Sequence, residues 1–291
     1  MLEGIKSRVD QIFRDRAEDG DFFELSEDVF CFRERQTSEL RNTMYEPALC
    51  LIVQGAKQTI IDGGKLALSA GDTVLISHHV PVQAQITEAS ESCPYTALIV
   101  RLNMSIIRSL VAEIEEITGG LEDVQSVSSE KAELALLEAI DRLLGVLENS
   151  LESQLLGQAA LKEVHLRVLQ ASHGGMLRAL GSPKSPANRI ARAIAFIRDN
   201  YKKPCQVRDV AAEAGMSETA FHQRFREVTG TTPNRYLKLL RLQEAHSLLS
   251  IERASVTHAA LEVGYKSVNH FSRDYAKNFG MPPKEARAAA S

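Results

Sequence analysis

The sequence contains no tryptophan, only four cysteines, and no apolar run near the roughly 20 residues that a membrane-spanning helix needs. The cysteines show no CxxC spacing, which argues against a zinc site and against a disulfide framework. The first twenty residues include acidic side chains and lack the apolar segment of a secretion signal. These absences predict a cytoplasmic protein without a membrane partner. They also predict buried free thiols, at Cys31, Cys50, Cys93 and Cys205.

The net charge of −4 conceals an uneven distribution along the 291 residues. Residues 184–291 hold 18 Lys and Arg against 10 Asp and Glu, a net charge of +8, whereas residues 1–183 hold 16 against 28, a net charge of −12. A chain of this length accommodates two domains. A basic C-terminal region suits a polyanionic partner, and an acidic N-terminal region does not.

Residues 22–102 are rich in β-branched and apolar residues, with stretches of alternation that predict strands. Asp62-Gly63-Gly64 predicts a hairpin and Gly71-Asp72 a turn. Six short strands at this spacing predict a barrel or a sandwich. The runs are VFCFRER, ALCLIVQGAKQTII, KLALS, DTVLIS, VPVQAQIT and YTALIVRL.

The hydrophobic period changes to that of a helix at Asn103, and two longer amphipathic patterns follow at about residues 129–148 and 151–171. The first of these two carries a leucine stripe that must be buried against another surface. Packing on the strands and pairing with a second subunit are both open at this point. The second alternative makes a homodimer contact of Leu136, Leu143 and Leu147.

The segment GSPKSPAN, residues 181–188, combines glycine, prolines and serines between two helical patterns. It predicts a linker between a domain of residues 1–180 and a domain of residues 189–291. Every pattern after the linker is helical. The predicted fold class is therefore α+β, with a strand-rich first domain and an all-α second domain.

One phrase occurs twice in the second domain. GMSETAFHQRFREVTGTTP, from Gly215, matches GYKSVNHFSRDYAKNFGMPP, from Gly264, at an offset of 49 that becomes 50 at Ser217 and Ser267. Each glycine can end a helix in the left-handed conformation, and each serine can cap the next helix. Helix, glycine-containing turn and helix predict two helix-turn-helix modules. A linker helix from Pro233, about 25 Å long, would let both modules reach successive major grooves.

The second helix of each module presents a polar face opposite its aromatic residues. A face with hydrogen-bond donors and acceptors but no carboxylate suits the major groove of DNA, where Gln can hydrogen-bond to adenine and Arg can bind guanine or phosphate. Two such faces predict contact with double-stranded DNA. The predicted DNA-binding residues are Thr219, His222, Gln223 and Arg226 in the first module and Asn269, His270, Arg273 and Lys277 in the second.

The repeated modules with their glycines, aromatic pairs and final F-G-x-x-P resemble the AraC/XylS family of transcription regulators over about residues 188–288. The resemblance implies base reading at Thr219, His222 and Gln223 in the first module and at Asn269, His270 and Arg273 in the second. Arg226 and Lys277 are the candidates for phosphate contact. An arginine is common in relatives where Gln223 stands.

The segment MYEPALCLIVQGAKQTIIDGGKLALSAGDTVLIS is similar to the N-terminal domain of one branch of this family. The resemblance implies a cupin-like barrel followed by helices, with effector sensing and self-association. RNA polymerase is a further expected partner if the protein is an activator.

Three hypotheses follow for the first domain. It senses a small molecule, it is sealed and serves dimerisation alone, or it is a cupin-type enzyme with a DNA-binding tail. Adjacent residues on a strand point to opposite faces, so His78 and His79 do not readily share a metal. No nucleophile motif is present. We therefore expect no enzyme, no metal and no cofactor.

Overall fold

A computed structural model describes residues 1–16, 21–61, 64–118, 127–183 and 185–289. The predicted turn residues Asp62 and Gly63 lie outside the described residues. The chain divides into two compact units. Unit 1 comprises residues 1–40, 45–78 and 84–188, and unit 2 comprises residues 41–44, 79–83 and 189–291.

The strands form two antiparallel sheets that are not closed into one barrel within the described residues. The six-stranded sheet has the order β1-β2-β9-β4-β7-β10, and the four-stranded sheet has the order β3-β8-β5-β6. The strands are β1 Phe22–Ser26, β2 Val29–Glu34, β3 Arg41–Tyr45, β4 Ala48–Gln54, β5 Ala56–Ile61, β6 Gly64–Ser69, β7 Asp72–Ile76, β8 Val80–Glu88, β9 Tyr95–Arg101 and β10 Val127–Lys131.

The fold class is α+β, as predicted, and the structure corrects several details of the first domain. The run ALCLIVQGAKQTII is divided into β4 and β5 by Gly55, which has a φ of +76°. Strands β1 and β3 extend the predicted set. The helix predicted from residue 129 begins later, because residues 127–131 pair with β7 as β10.

Five helices accompany the sheets in the described part of unit 1: α1 Leu2–Asp15, α2 Met104–Thr118, α3 Leu134–Glu148, α4 Ser150–Gln170 and α5 Gly175–Gly181. The sequence reading missed α1. Its Ile5, Val9 and Phe13 are buried at a spacing of four residues, which places them on one helical face. They join a core built from the sheet and from α2, α3 and α4.

The leucine stripe of α3 belongs to this core. Leu136 and Leu143 are each 1% exposed, and Leu147 is partly buried against the same cluster. A side chain that is already buried in its own unit offers no surface to a second subunit. Of the two alternatives for the stripe, the structure has the one in which it packs within its own domain.

Between residues 189 and 289, the regular secondary structure of unit 2 is helical, and these residues contain two separate cores. One core lies around Phe221 and Phe225, the other around Phe271 and Tyr275, and α9 contributes to both. No helix in the described part of the chain combines the length and apolarity needed to cross a membrane. The helices are α6 Pro186–Asn200, α7 Val207–Glu213, α8 Glu218–Thr229, α9 Pro233–Ser250, α10 Val256–Glu262, α11 Val268–Phe279 and α12 Pro283–Ala289.

Candidate nucleic-acid interface

The turn between α7 and α8 is held by main-chain hydrogen bonds. The Met216 amide donates to the Ala211 carbonyl at 3.0 Å, and Gly215 donates to Ala212 at 2.9 Å. Gly215 has a φ of +63°, a conformation that costs other residues free energy. The Ser217 side chain accepts a hydrogen bond from the Ala220 amide and thereby caps α8.

The turn between α10 and α11 repeats this pattern. The Tyr265 amide donates to Ala260 at 3.0 Å, Gly264 has a φ of +87°, and Ser267 accepts from the His270 amide. Two residues separate Gly264 from Ser267, whereas one separates Gly215 from Ser217. The Tyr265 ring packs against Phe271, with ring centres 5.4 Å apart. The two modules therefore share a backbone design despite the change in offset.

Buried aromatic pairs fix the inner face of each second helix. The ring centres of Phe221 and Phe225 lie 5.3 Å apart on α8, and those of Phe271 and Tyr275 lie 5.5 Å apart on α11. All four side chains are fully buried. Because they lie four residues apart, they hold one side of each helix inward and turn the other side to solvent.

The eight predicted DNA-contact residues are all exposed. Within the described residues, no carboxylate forms an ion pair with Arg226, Arg273 or Lys277. The two outward faces consist of Thr219, His222, Gln223 and Arg226 on α8 and of Asn269, His270, Arg273 and Lys277 on α11.

A carboxylate that the sequence reading did not consider contacts the α8 face. The Gln223 side-chain amide donates to Glu227 at 2.9 Å, and Arg224 forms an ion pair with the same carboxylate at 2.7 Å. These hydrogen bonds, first from Gln223 and then from Arg224, lower the pKa of Glu227. The spacing of four residues between Gln223 and Glu227 was the signal that could have revealed this contact.

The acid of α11 is drawn away from the outward face. Lys238 of α9 forms an ion pair with Asp274 at 2.5 Å, and the Tyr265 hydroxyl donates to the other carboxylate oxygen at 3.2 Å. Burial, the largest cause, and the neighbouring Asp274 charge raise the pKa of Tyr265. The phenol therefore stays protonated and able to donate at neutral pH.

Helix α9 connects the two modules. It begins with Thr232 as the cap and Pro233 in the first turn, and its 18 residues span about 27 Å. Near its start, the Tyr236 ring meets Phe225 at 5.5 Å, and near its end the His246 ring stacks on Phe279 at 4.6 Å. One continuous helix therefore packs against both modules.

Two family models match the chain. Residues 26–176 match the model described as AraC-type transcriptional regulator N-terminus, and residues 210–289 match a helix-turn-helix domain. The chain belongs to the AraC family. The resemblance stated from the repeated motifs is thereby confirmed, and it extends to the strand-rich unit.

Curated relatives match this AraC-type chain over part of its length. The virulence regulon transcriptional activator VirF of Yersinia enterocolitica is 31% identical over 156 residues, 52% of this chain and 56% of VirF. The transcriptional activator RhaS of Escherichia fergusonii is 31% identical over 152 residues, 52% of this chain and 54% of RhaS. The chain thus spans about half the length of the curated relatives it matches.

The fold of the AraC-type chain has solved counterparts. A structure of ToxT from Vibrio cholerae aligns with a TM-score of 0.62 and 14% identity, covering 89% of this chain and 97% of that one. A second ToxT structure, described as bound to an unsaturated fatty acid, aligns with a TM-score of 0.58 and 12% identity over 89% and 92% of the two chains. At these identities the likeness shows the fold alone.

Proposed function

We propose that the protein is a sequence-specific DNA-binding transcription regulator. A single chain inserts α8 and α11 into successive major grooves of one duplex. The observation that carries the proposal is the repeated helix-turn-helix backbone, which presents an exposed polar face in each copy. The length of α9, about 27 Å, together with the widths of the flanking helices, is compatible with grooves about 34 Å apart.

Each outward face divides by chemistry into base-reading and phosphate-binding positions. The side-chain amides of Gln223 and Asn269 and the guanidinium of Arg273 can pair with base edges. Thr219, His222 and His270 complete the proposed base-reading set. Arg226 and Lys277, three or four residues further along their helices, are proposed to bind phosphate.

The spacing between the two half-sites tests this proposal. A duplex is first selected from random DNA by the wild-type chain, and variants of it are then titrated in gel shifts. Inserting about 5 base pairs, half a helical turn, between the half-sites should abolish high-affinity binding, and inserting a full turn should weaken it too because α9 has a fixed length. Binding that is insensitive to both insertions would contradict a grip by two helices of one chain.

We propose that residues 1–180 form a sensor and self-association domain and that residues 189–291 form a DNA-binding domain. The predicted linker of residues 181–188 is shorter than expected, because Gly181 belongs to α5 and residues 186–188 belong to α6. Unit 1 has an open surface cleft of about 510 Å³, a volume that is compatible with a small molecule. The fatty-acid complex of ToxT adds that a related fold holds a small molecule in that protein. The alternative is a ligand-independent regulator, for which the cleft would stay empty.

VirF and RhaS are both named as activators, so we propose activation, with RNA polymerase as a partner and the cytoplasm as the location. Because the relatives are regulators, we propose no enzymatic activity.

We propose that a homodimer forms through the exposed leucines of α4 rather than through the α3 stripe. Leu151, Leu155 and Leu156 are 66%, 72% and 50% exposed on adjacent turns. Exposed apolar patches of this kind mark interaction surfaces. Leu155→Asp should yield a monomer in analytical ultracentrifugation, whereas Gln158→Asp, a change at an exposed polar position of the same helix, should not. A dimer that survives Leu155→Asp would exclude this surface.

A further inference from the structure

The side chains of Gln223 and Glu227 lie one helical turn apart on the exposed side of α8. The Gln223 amide nitrogen donates to one carboxylate oxygen of Glu227 at 2.9 Å, and Arg224 donates to the other oxygen at 2.7 Å. Among the described residues, Glu227 is the hydrogen-bond partner of the Gln223 side chain, and the Gln223 carbonyl oxygen accepts no hydrogen bond. That oxygen is therefore available to a ligand.

The contact with Glu227 decides which end of the Gln223 amide faces the carboxylate. An ionised carboxylate only accepts hydrogen bonds, so the nitrogen end of the amide must face it. The hydrogen bonds from Gln223 and then from Arg224 lower the pKa of Glu227, which keeps the carboxylate ionised at neutral pH. In the reversed orientation, the carbonyl oxygen of Gln223 would lie against negatively charged oxygens. The carbonyl oxygen is thus the end that Glu227 leaves for a base.

A glutamine without such a neighbour reads base edges ambiguously, because its amide can present either an acceptor or a donor after rotation about its last bond. In the major groove, adenine and cytosine present an amino group, whereas guanine and thymine present a carbonyl oxygen. A Gln223 oxygen that faces the DNA can accept from an amino group and would meet a base carbonyl as one acceptor meets another. The second N–H of Gln223 can also donate to N7 of adenine, so adenine fits best.

The equivalent positions of the second module have the opposite chemistry. At the repeat offset of 50, Gln223 corresponds to Arg273 and Glu227 corresponds to Lys277. A guanidinium only donates, whichever way it turns, so Arg273 needs no neighbour to fix its polarity. It suits guanine, whose O6 and N7 both accept. The carboxylate therefore stands in the module whose base-reading side chain has two possible polarities.

We propose that Glu227 is a positioning residue for base reading. It holds the Gln223 amide with its carbonyl oxygen toward the DNA, so that α8 selects adenine first and cytosine second over guanine and thymine. Glu227 acts through Gln223 and contacts no base itself. The proposal rests on the proposed DNA-binding function and specifies the base preference at one position of the site.

The test first locates the base pair that Gln223 reads. The full wild-type chain selects a duplex from random DNA, and each position of that duplex is then replaced by all four base pairs. The position at which Gln223→Ala removes the base preference is the one that Gln223 reads. Gel-shift titrations on the four duplexes that differ there give the preference of each variant. The absence of any such position would overturn the proposal.

Wild type should bind the adenine duplex about tenfold more tightly than the guanine and thymine duplexes, with cytosine between them. Glu227→Gln should reduce this ratio about threefold, because a neutral amide can either accept from Gln223 or donate to it and so permits both orientations. Glu227→Asp should keep the wild-type ratio, since a carboxylate four residues after a glutamine still accepts from its amide. The lost negative charge of Glu227→Gln affects all four duplexes alike and cancels in the ratio.

Lys277→Ala is the matched control, because Lys277 occupies the equivalent position on α11. It should weaken binding to all four duplexes in the same proportion and leave the ratio unchanged. An unchanged ratio in Glu227→Gln would overturn the proposal, and so would a wild-type preference for guanine or thymine. A ratio that falls equally in Glu227→Asp and Glu227→Gln would also overturn it, because the carboxylate would then not be the cause.

These outcomes are distinct from a failure of the regulator itself. A wild-type chain that binds scrambled DNA as tightly as any selected duplex would contradict sequence-specific binding. A wild-type chain that selects a duplex, while Glu227→Gln keeps the full ratio, would leave sequence-specific binding standing and contradict the role of Glu227 alone.

Discussion

The two proposed recognition helices, α8 and α11, each carry an acidic and a basic residue three positions apart, and these two residues form different ion pairs on the two helices. At the repeat offset of 50, Arg224 corresponds to Asp274 and Glu227 corresponds to Lys277. On α8 the two charges pair with each other at 2.7 Å. On α11 the acid pairs with Lys238 of α9 at 2.5 Å, and Lys277 is left without a carboxylate partner in the described residues.

This difference assigns unequal tasks to two similar modules. The α8 face retains a carboxylate next to Gln223, which lowers its attraction for phosphate. The α11 face presents Arg273 and Lys277 with their charges uncompensated. Phosphate attraction is the sequence-independent part of DNA affinity. We therefore expect α11, with two uncompensated cations, to provide more of the electrostatic attraction than α8, on which Arg226 is the predicted contact residue with an uncompensated charge.

The largest expected difference between the modules concerns their turn glycines. Gly264→Ala should destabilise the protein by about 3 kcal/mol or more, because a Cβ would lie 2.6 Å from the Lys202 carbonyl oxygen in addition to the cost of positive φ. Gly215→Ala should cost about 1 kcal/mol, since nothing lies within 4 Å of its Cβ position. Urea unfolding of both variants measures the difference. Equal losses would show that the two turns are held equally tightly.

The next effect is on DNA affinity. Arg273→Ala should cost about 1 to 3 kcal/mol at a selected site and relax base preference there, whereas Lys277→Ala should weaken all sequences and lower the salt slope by about 1. Arg224→Ala is the matched control on α8, and its effect should be smaller because Glu227 already neutralises that charge. Gel-shift titrations across salt report all three variants. An Arg224→Ala loss as large as that of Arg273→Ala would reverse the proposed division.

The second unit was the more predictable one, for physical reasons. The contacts made by Gly215, Ser217 and the aromatic pairs involve residues only a few positions away in the sequence. Local spacing therefore determines the turn, the helix cap and the buried face. Pro233 likewise predicted the start of α9, because proline is favoured in the first turn of a helix. Sequence reasoning did not detect the Lys238–Asp274 pair, because residues 36 positions apart meet only when α9 packs on α11.

The first unit depended more on distant contacts. The apolar spacing of Leu136 and Leu143 predicted a helix correctly but not its partner, which the sheet and the neighbouring helices provide. Residues 127–131 form a strand because β7 offers an edge to pair with.

Acidification should loosen the second module more than the first. Burial lowers the pKa of His246, whose Nδ1 lies 2.5 Å from the Tyr275 hydroxyl. Because the folded pKa lies below the unfolded value of about 6.5, the stabilisation is present above that pH and is lost as the pH falls, by at most about 1.4 kcal/mol per pH unit for one proton. Tyr236 meets Phe225 in the first module and does not titrate in this range.

Hydrogen exchange between pH 7.5 and 5 provides the measurement, with corrections for intrinsic exchange rates. Protection of α11 should fall with pH while protection of α8 changes less, and His246→Asn should remove the difference. A parallel decline of both helices in wild type would mean that His246 does not distinguish the modules.

The smallest effect should follow from neutralising the carboxylate of α8. Glu227→Gln should raise affinity for a selected duplex by about two- to threefold at low salt, because exposed charges interact weakly and are screened. The lowered pKa of Glu227 keeps this carboxylate ionised down to acidic pH, so the gain should be constant around neutrality. Asp274→Asn is the matched change on α11. Lys238 and Tyr265 already hold the Asp274 carboxylate away from the outward face, so Asp274→Asn should leave the affinity for DNA unchanged when the folded protein is compared. An equal gain in affinity for Glu227→Gln and Asp274→Asn would remove the distinction between the two helices.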